Sequence, residues 1–355
     1  MAAYTTIDNP ELYFQTKLWT GTGSSNALTL DGSENMQPDF VWIKLRAGAA
    51  DYGHRLFDSV RGATKQLNTS ATSAEGTETN SLSAFSSDGF TVVDADEVNQ
   101  SGGSHTYVAW CWKMGTTSGI SGTGNLTVNG YSFDSDAKQS VIVYTGNGGS
   151  SGTYTHGLGK APGFIFGKNR DEAGDNWFAY HHKNTSAPET DYLAINTTAA
   201  TADSDTYWND TAPSSTLVTV GSAGEVNRAE QQVAYCFAEV QGYSKFGSYT
   251  GNGNADGPFV YTGFRPALVI IKDTGAAVGW GVYDNKRNGY NQDNKTLYAQ
   301  GSSGEDAGGY VDLLSNGFKI TSSSAWQNRS GGVFVYAAFA EQPFVNSNGV
   351  PATAR

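Results

Sequence analysis

One series of sequence landmarks occurs three times along the chain in the same order. The openers are Trp19-Thr20-Gly21-Thr22-Gly23, Tyr144-Thr145-Gly146-Asn147-Gly148 and Tyr249-Thr250-Gly251-Asn252-Gly253. A proline then stands six residues before a lysine, with apolar residues between, at Pro38 and Lys44, Pro162 and Lys168, and Pro266 and Lys272. An aromatic and a polar residue follow as Phe57-Asp58, Tyr180-His181 and Tyr283-Asp284, and an aromatic-rich strand closes each copy at 107–112, 233–239 and 335–341. So many landmarks in one order are not expected by chance, and they predict three tandem, internally homologous repeats.

The repeats divide the 355 residues into units of about 100 residues, the size of a small β-sandwich. The predicted units are residues 16–113, 139–240 and 241–344. A Gly/Ser/Thr-rich segment at 114–138 has the composition of a flexible linker, which predicts a more independent first unit. Alternatively, residues 126–128 and 131–133 add a short strand to the second unit. Residues 1–15 form an N-terminal segment, a candidate assembly anchor, and residues 345–355 form a polar C-terminal tail.

The predicted fold class is all-β, with each repeat β-sandwich-like. Short runs of alternating apolar residues are separated by Gly, Asn, Asp and Ser clusters, a pattern typical of strands and turns. No window of ten or more residues has a convincing helical period.

Charge and terminal sequence limit the partners. The net charge is −12, with no cluster of Lys or Arg. Nucleic acid and anionic membranes both require a cationic surface, so neither is an expected partner. No run approaches the ~20 apolar residues of a membrane-spanning helix, and the first residues lack the basic and apolar regions of a secretory signal. If the protein works outside a cell, we therefore expect it to leave by lysis or within a particle.

The two cysteines occupy matching places in the closing strands. Cys111 and Cys236 stand where the third copy has Ala338. Equivalent positions in separate units are rarely neighbours, so each cysteine is predicted to be a small buried core residue rather than half of a disulfide.

Catalytic and metal-binding patterns are weak. The chain lacks the Gly-x-Ser-x-Gly, P-loop and Rossmann motifs in their required contexts. His181 and His182 would point to opposite faces of a strand, which favours one packed and one solvent-facing ring over a shared metal ion. Acidic clusters at 94–97, 134–136 and 203–205 do not match a twelve-residue calcium loop. They are interpreted as solvated loops, with a cation site as the alternative. We predict no enzyme activity, no catalytic residues, no metal and no cofactor.

Aromatic residues are the stronger functional signal. The chain has eight Trp and nineteen Tyr, and rings beside Asn and Asp are typical of sugar and peptide recognition. Trp177 and Trp280 hold matching places in two copies, which favours a packing role for both. Trp208 has no counterpart and is the best candidate for an exposed contact, with packing at the surface as the alternative. The predicted ligand-binding residues are Trp208, Tyr207, Asn209 and His181.

Five segments together resemble a family of structural proteins from tailed bacteriophages, common in marine phages. They are Tyr4-Thr5-Thr6-Ile7-Asp8, 107–113, 235–239, 246–253 and 338–344. The resemblance covers essentially the whole chain. It implies a tail-fibre, adsorption or virion-surface component located in the virion, and it supplies no catalytic residues.

The leading interpretation is a non-enzymatic virion protein of the tail fibre or host-attachment apparatus that binds a host-surface ligand such as a glycan. A capsid head fibre or decoration protein is one alternative, and a polysaccharide-degrading tail spike is another. The expected partners are other virion proteins in tail or capsid and a host-surface glycan or protein. A homo-oligomer is expected, with a trimer as one option, although three repeats in one chain also mimic a threefold axis.

Overall fold

Antiparallel β-sheets build the described chain. The fold is that of a computed structural model, which describes residues 5–48, 50–292, 295–307 and 310–353. Within these ranges the α-helices are single turns, namely α1 (Asp96–Asn99), α2 (Asp205–Trp208), α3 (Gly224–Asn227) and α4 (Ala325–Asn328). Two 3-10 turns span Pro10–Leu12 and Pro188–Thr190. The all-β prediction is confirmed.

Strands of the first third form a large sheet and a small one. They are β1 (Phe14–Thr20), β2 (Asn26–Thr29), β3 (Phe40–Ala47), β4 (Arg55–Asp58), β5 (Lys65–Gln66), β6 (Gly76–Thr77), β7 (Leu82–Ser86), β8 (Gly89–Val92) and β9 (Thr106–Trp112). The large sheet has the order β1-β9-β3-β4 and the small sheet has the order β2-β8-β7, while β5 and β6 pair with each other.

The middle third contributes the widest sheet. Its strands are β10 (Thr127–Asp134), β11 (Gln139–Thr145), β12 (Gly152–Thr155), β13 (Phe164–Asn169), β14 (Phe178–His181), β15 (Asp191–Ala194), β16 (Ala202–Asp203), β17 (Leu217–Val220) and β18 (Gln231–Phe237). The large sheet runs β10-β11-β18-β13-β14-β15-β16, and β12 pairs with β17.

The last third again has one large and one small sheet. Its strands are β19 (Ser244–Thr250), β20 (Phe259–Tyr261), β21 (Phe264–Asp273), β22 (Gly281–Asp284), β23 (Leu297–Tyr298), β24 (Val311–Leu314), β25 (Gly317–Ile320) and β26 (Val333–Pro343). The large sheet has the order β19-β26-β21-β22-β23 and the small one β20-β25-β24. In all three large sheets, the closing strand (β9, β18 or β26) therefore lies between an opening strand and the strand that carries the lysine landmark.

Strand β3, next to the closing strand β9, begins with apolar residues on both of its faces. In β3, Phe40 and Trp42 point to one side and Val41 and Ile43 to the other, and all four are at most 1% exposed. Burying a side chain of this size stabilises a fold by roughly 1.5–3 kcal/mol. Such two-sided burial requires a layer on each face of the sheet.

The buried apolar residues form four clusters that match this two-sided burial. Three clusters each fill the space between one large sheet and its small sheet. The fourth, which we name the shared cluster, combines residues from all three large sheets, including Trp42, Phe166 and Ile270. The three large sheets therefore pack against one another through their second faces.

Three aromatic rings meet in the middle of the shared cluster. Trp112 lies 6.1 Å from Phe237 and 5.4 Å from Phe339, measured between ring centroids. Phe237 and Phe339 are also 5.4 Å apart. Trp112 and Phe237 are the last residues of β9 and β18, and Phe339 lies within β26, so the closing strands of the three sheets converge at this point.

The predicted linker differs from the expectation. Residues 127–134 form the edge strand β10, and Met114 is buried in the shared cluster. The first large sheet also contributes Trp110 and Trp112 to that cluster. The expectation of an independent first unit on a flexible connection therefore differs from the structure, whereas the alternative of an added strand corresponds to β10, which pairs with β11.

Both cysteines occupy the predicted environment. Cys111 and Cys236 are buried free thiols, each inside a different one of the outer clusters. The expectation of two separate core cysteines is confirmed.

Candidate functional site

Trp208, the leading predicted contact residue, is buried. It is 0% exposed, and its indole Nε1 donates to Asp191 O at 3.0 Å. Its ring packs edge-on against Phe178 and Tyr180. The prediction of an exposed Trp208 is wrong, because the single-turn helix α2 turns the indole inward and a helix this short has no periodicity to detect.

The neighbours of Trp208 do not form an open site with it. Tyr207 is 6% exposed and stacks on Tyr192 with ring centroids 3.7 Å apart. Asn209 is exposed and caps α2 in a left-handed conformation with φ 50°. Of the four residues predicted to bind a ligand, only Asn209 lies at the surface.

His181, the fourth predicted residue, is a packing residue. It is 1% exposed, and burial lowers its pKa to about 3, so the ring is neutral. Its Nε2 lies 3.0 Å from Tyr336 O, and its Nδ1 accepts from the Lys183 amide. His182 is partly exposed, which confirms the prediction of one packed and one solvent-facing ring.

His181 belongs to a set of three contacts that join the large sheets. Asp58, His181 and Asp284 are the last residues of β4, β14 and β22, and each bonds to the closing strand of another large sheet. The pairs are Asp58 with the Tyr235 hydroxyl, His181 with Tyr336 O and Asp284 with Trp110 Nε1, at 2.8, 3.0 and 3.0 Å. The first sheet thus contacts the second, the second contacts the third, and the third contacts the first.

A second set of contacts closes the same ring in the opposite direction. A ring nitrogen beside β4, β14 or β22 faces a backbone carbonyl in the preceding third of the chain in the cycle. The pairs are His54 with Tyr298 O, Trp177 with Asn68 O and Trp280 with Ala194 O, at 3.0, 2.8 and 2.9 Å. Trp177 and Trp280 are buried, which confirms the packing role predicted for them.

Both aspartates of the first set also hold a buried arginine. Asp58 pairs with Arg61 at 2.5 Å and Asp284 pairs with Arg287 at 2.6 Å, with none of the four side chains exposed. Burial alone would raise the pKa of Asp284, but the Arg287 charge and hydrogen bonds hold it below its usual value. Removing one partner from such a pair leaves an uncompensated buried charge.

Three asparagines that sequence reasoning missed tie the opener loops to the helices. Asn99, Asn227 and Asn328 are 0% exposed and end α1, α3 and α4. In each, the side-chain Oδ1 accepts from an amide of an opener, namely Thr22, Asn147 and Asn252. The signal was present, because Glu97-Val98-Asn99 recurs as Glu225-Val226-Asn227.

The landmark lysines are also buried. Lys44, Lys168 and Lys272 are 0% exposed, and burial lowers the pKa of each to about 8. Lys272 Nζ donates to the carbonyls of Asp273, Ala276 and Thr198 at 2.8, 3.2 and 3.3 Å. These lysines therefore hold backbone carbonyls rather than a ligand.

A concave groove lies beside the N-terminal segment. Two cavities of about 620 and 350 Å³ share Lys160, Glu239, Val240 and Gln241. We name their union the terminal groove. Both volumes lie in the ~300–1,000 Å³ range of small-ligand pockets. One end is bounded by Leu12, Tyr13 and Lys138, and the other by Lys245, Tyr261 and Phe344.

The N-terminal segment forms one wall of the terminal groove and is fixed in place. Thr6 N and Thr5 Oγ1 donate to Gln241 O at 3.3 and 3.2 Å. Gly242 has φ +82°, and a Cβ there would lie 2.1 Å from Thr5 Oγ1. Ile7 is buried in the shared cluster, so the segment is part of the folded body.

Polar groups converge at the centre of the terminal groove. Lys160 Nζ donates to Glu239 O at 2.8 Å, and the Glu239 carboxylate accepts from Phe246 N at 3.0 Å. At one end, Lys245 Nζ lies 5.5 Å from the centroid of the Tyr261 ring, which is 53% exposed. The groove thus combines an accessible ring with donors and an acceptor.

Two further properties of the described residues bear on chemistry. No group of three or more His, Cys, Asp and Glu side chains within them is arranged to hold a metal ion. Among the same residues, no helix has the length and apolar content needed to cross a membrane.

Comparison with known proteins yields one match. Neither the curated proteins nor the solved structures include a significant match to this sequence. A family described as a domain of unknown function, DUF7483, matches residues 9–343, a range that takes in all three large sheets. The chain therefore belongs to the DUF7483 family.

Proposed function

We propose that this chain is a non-enzymatic structural protein of a bacteriophage virion, in the tail fibre or host-attachment apparatus, that binds a host-surface ligand. The observation that carries the proposal is the ring of buried contacts among the three large sheets. A body fixed in this way resists deformation and presents its grooves in constant positions. The phage context rests on the whole-chain sequence resemblance.

The three large sheets, in this proposal, are copies of one unit related by a pseudo-threefold axis. The axis passes between the rings of Trp112, Phe237 and Phe339. The support is the matching strand order of the sheets, together with equivalent contacts at matching landmarks. A single chain would then do what three identical subunits do in a trimeric fibre.

A circular permutant tests this arrangement. Residue 5 and the tail lie close together, because Asp8 accepts hydrogen bonds from Ser347. A chain that starts at residue 139, with residue 353 joined to residue 5 by a short linker, should fold with an unchanged circular dichroism spectrum. A permutant that stays unfolded would contradict a closed ring of equivalent units.

Antibody labelling of intact virions tests the location. An antibody against residues 139–344, viewed by electron microscopy, should label the tail tip or fibres. Antibody absorbed beforehand with the purified chain serves as the control. Label over the head would contradict host attachment.

A capsid decoration protein is the second candidate. The neighbouring termini favour it, because Asp8 and Ser347 on one side of the body offer a single point of mounting. In that case the same antibody should label the head surface.

A further inference from the structure

The ligand of the terminal groove can be narrowed from its side chains. Strand β20 exposes two aromatic rings, Phe259 at 47% and Tyr261 at 53%. Only Tyr261 lines the groove. Because the two positions are separated by one residue on a strand, their rings share a face of the sheet. The other aromatic residues of the lining, Tyr13 and Phe344, are half-buried, so Tyr261 is the exposed aromatic platform of the groove and Phe259 is a matched aromatic outside it.

The hydrogen-bonding groups of the groove lie near that platform. Lys245 lies over the Tyr261 ring, and Lys160 with Glu239 lines both cavities. An ammonium group has three N–H donors and a carboxylate has four acceptor sites. The bonds of Lys160 to Glu239 O and of Lys245 to Tyr261 O use one donor of each ammonium group. These side chains retain capacity to bind a ligand rich in hydroxyls.

The charges of the groove are balanced. Its lining contains three lysines and three carboxylates, namely Lys138, Lys160, Lys245, Asp8, Asp136 and Glu239. A polyanion or polycation would meet both attraction and repulsion along this surface. The equal number of positive and negative side chains in the groove therefore favours an uncharged ligand.

The backbone of the groove wall is already engaged. The amides of Thr262 and Gly263 both donate to Asn316 O, at 3.0 and 3.2 Å. The amide of Thr6 donates to Gln241 O at 3.3 Å. An extended peptide that adds to a sheet needs a row of open backbone groups, so these bonds disfavour a peptide strand. We therefore expect the groove to recognise its ligand through side chains rather than through the backbone.

We propose that the terminal groove binds a neutral oligosaccharide, with one sugar ring stacked on Tyr261 and with hydroxyls bonded to Lys160, Lys245 and Glu239. A pyranose has an apolar C–H face that matches an aromatic ring and a hydroxyl rim that matches alternating donors and acceptors. The inference rests on the proposed function, since it names the ligand class of a host-attachment protein.

Binding of the full chain to a glycan array, followed by calorimetry with the best neutral glycan, tests the assignment. Tyr261→Ala should weaken binding about tenfold or more through loss of stacking. Phe259→Ala is the matched control and should bind as the wild type does. Lys160→Ala should also weaken binding, while Lys183→Ala, at an exposed lysine outside the groove, should not.

The outcomes separate this inference from the proposed function. Two results together support the groove assignment. The affinity for a neutral glycan changes little between low and high salt, and it falls in Tyr261→Ala but not in Phe259→Ala. Affinity that survives Tyr261→Ala, or that falls equally in Phe259→Ala, overturns the groove assignment but leaves host attachment standing. Binding only to charged glycans, to peptides or to none of the arrayed ligands overturns the ligand class, while virion labelling independently decides the location.

Discussion

The Tyr235 hydroxyl donates a hydrogen bond to the Asp58 carboxylate at 2.8 Å, although the two residues lie 177 positions apart in the sequence. Arg61 bonds both groups, so one aspartate fixes a guanidinium in the turn after its own strand and a phenol of the next large sheet. The contact is fully buried, and its loss would weaken the packing of the first large sheet against the second.

We expect Tyr235→Phe to lower the free energy of unfolding by about 1–3 kcal/mol, because the charged Asp58 loses a buried hydrogen bond. Urea denaturation followed by circular dichroism measures the change. Tyr290→Phe is the control at a tyrosine that is 81% exposed, and it should change stability by less than about 0.5 kcal/mol. Equal effects of the two substitutions would contradict a structural role for the Tyr235 hydroxyl.

Asn328 should tolerate no substitution well. Its amide Nδ2 donates to the carbonyls of Ser322 and Asn254, and its Oδ1 accepts from the Asn252 amide. Asn328→Asp keeps the shape but removes the donors and buries a charge, so we expect a loss of at least about 2 kcal/mol. Thermal unfolding provides the measurement, and Asn348→Asp, at an exposed asparagine, provides the control. A melting temperature as high as that of the control would argue against this role.

The buried lysines should make stability rise with pH. The pKa of Lys272 is about 8 in the folded chain, below the ~10.4 of an unfolded lysine. Between these values the unfolded chain binds more protons, so the free energy of unfolding increases with pH, and the gain is lost as pH falls through about 8. We expect on the order of 1–3 kcal/mol from one such lysine.

The comparison of wild type with Lys272→Met isolates this effect. Burial raises the pKa of Cys236 to about 12. Above the pKa of an unfolded thiol, this cysteine therefore lowers the free energy of unfolding as pH rises, which opposes the effect of the lysines. Denaturant unfolding between pH 7 and pH 10 should therefore show a steeper rise for the wild type than for Lys272→Met. Parallel curves would mean that Lys272 does not titrate in this range.

Both thiols should be unreactive in the folded protein. Burial raises the pKa of Cys111 and Cys236 above that of a free thiol, and the thiolate is the reactive form. A thiol-specific chromogenic reagent should react slowly with native protein and rapidly with two thiols per chain in denaturant. Rapid reaction of native protein would show that a closing strand opens readily.

The sequence predicted the parts of this protein that depend on local pattern. Alternating apolar runs indicated strands, and the matched positions of Trp177, Trp280 and the cysteines indicated burial, as the structure confirms. Trp208 was placed wrongly because its environment depends on Asp191, Phe178 and Tyr180, which only the fold brings together. The repeated Glu-Val-Asn tripeptide was visible, yet its meaning required the opener loops to be in place.

The terminal groove could not be predicted from the sequence at all. Its lining comes from the N-terminal segment, the β10–β11 turn, the chain between β12 and β13, the chain between β18 and β19, strand β19, the end of β20 with the turn after it, and the tail. No motif links these segments, since each contributes only one or a few side chains. Their proximity results from the packing of the second and third large sheets.

The contact between Asp284 and Trp110 has a consequence for synthesis. The two residues lie 174 positions apart, and the indole belongs to the portion of the chain translated first. Until β26 has left the ribosome, the apolar faces of the first two large sheets lack their third neighbour. A nascent chain therefore exposes apolar surface that its own last hundred or so residues cover. Premature termination should yield aggregates rather than smaller folded proteins.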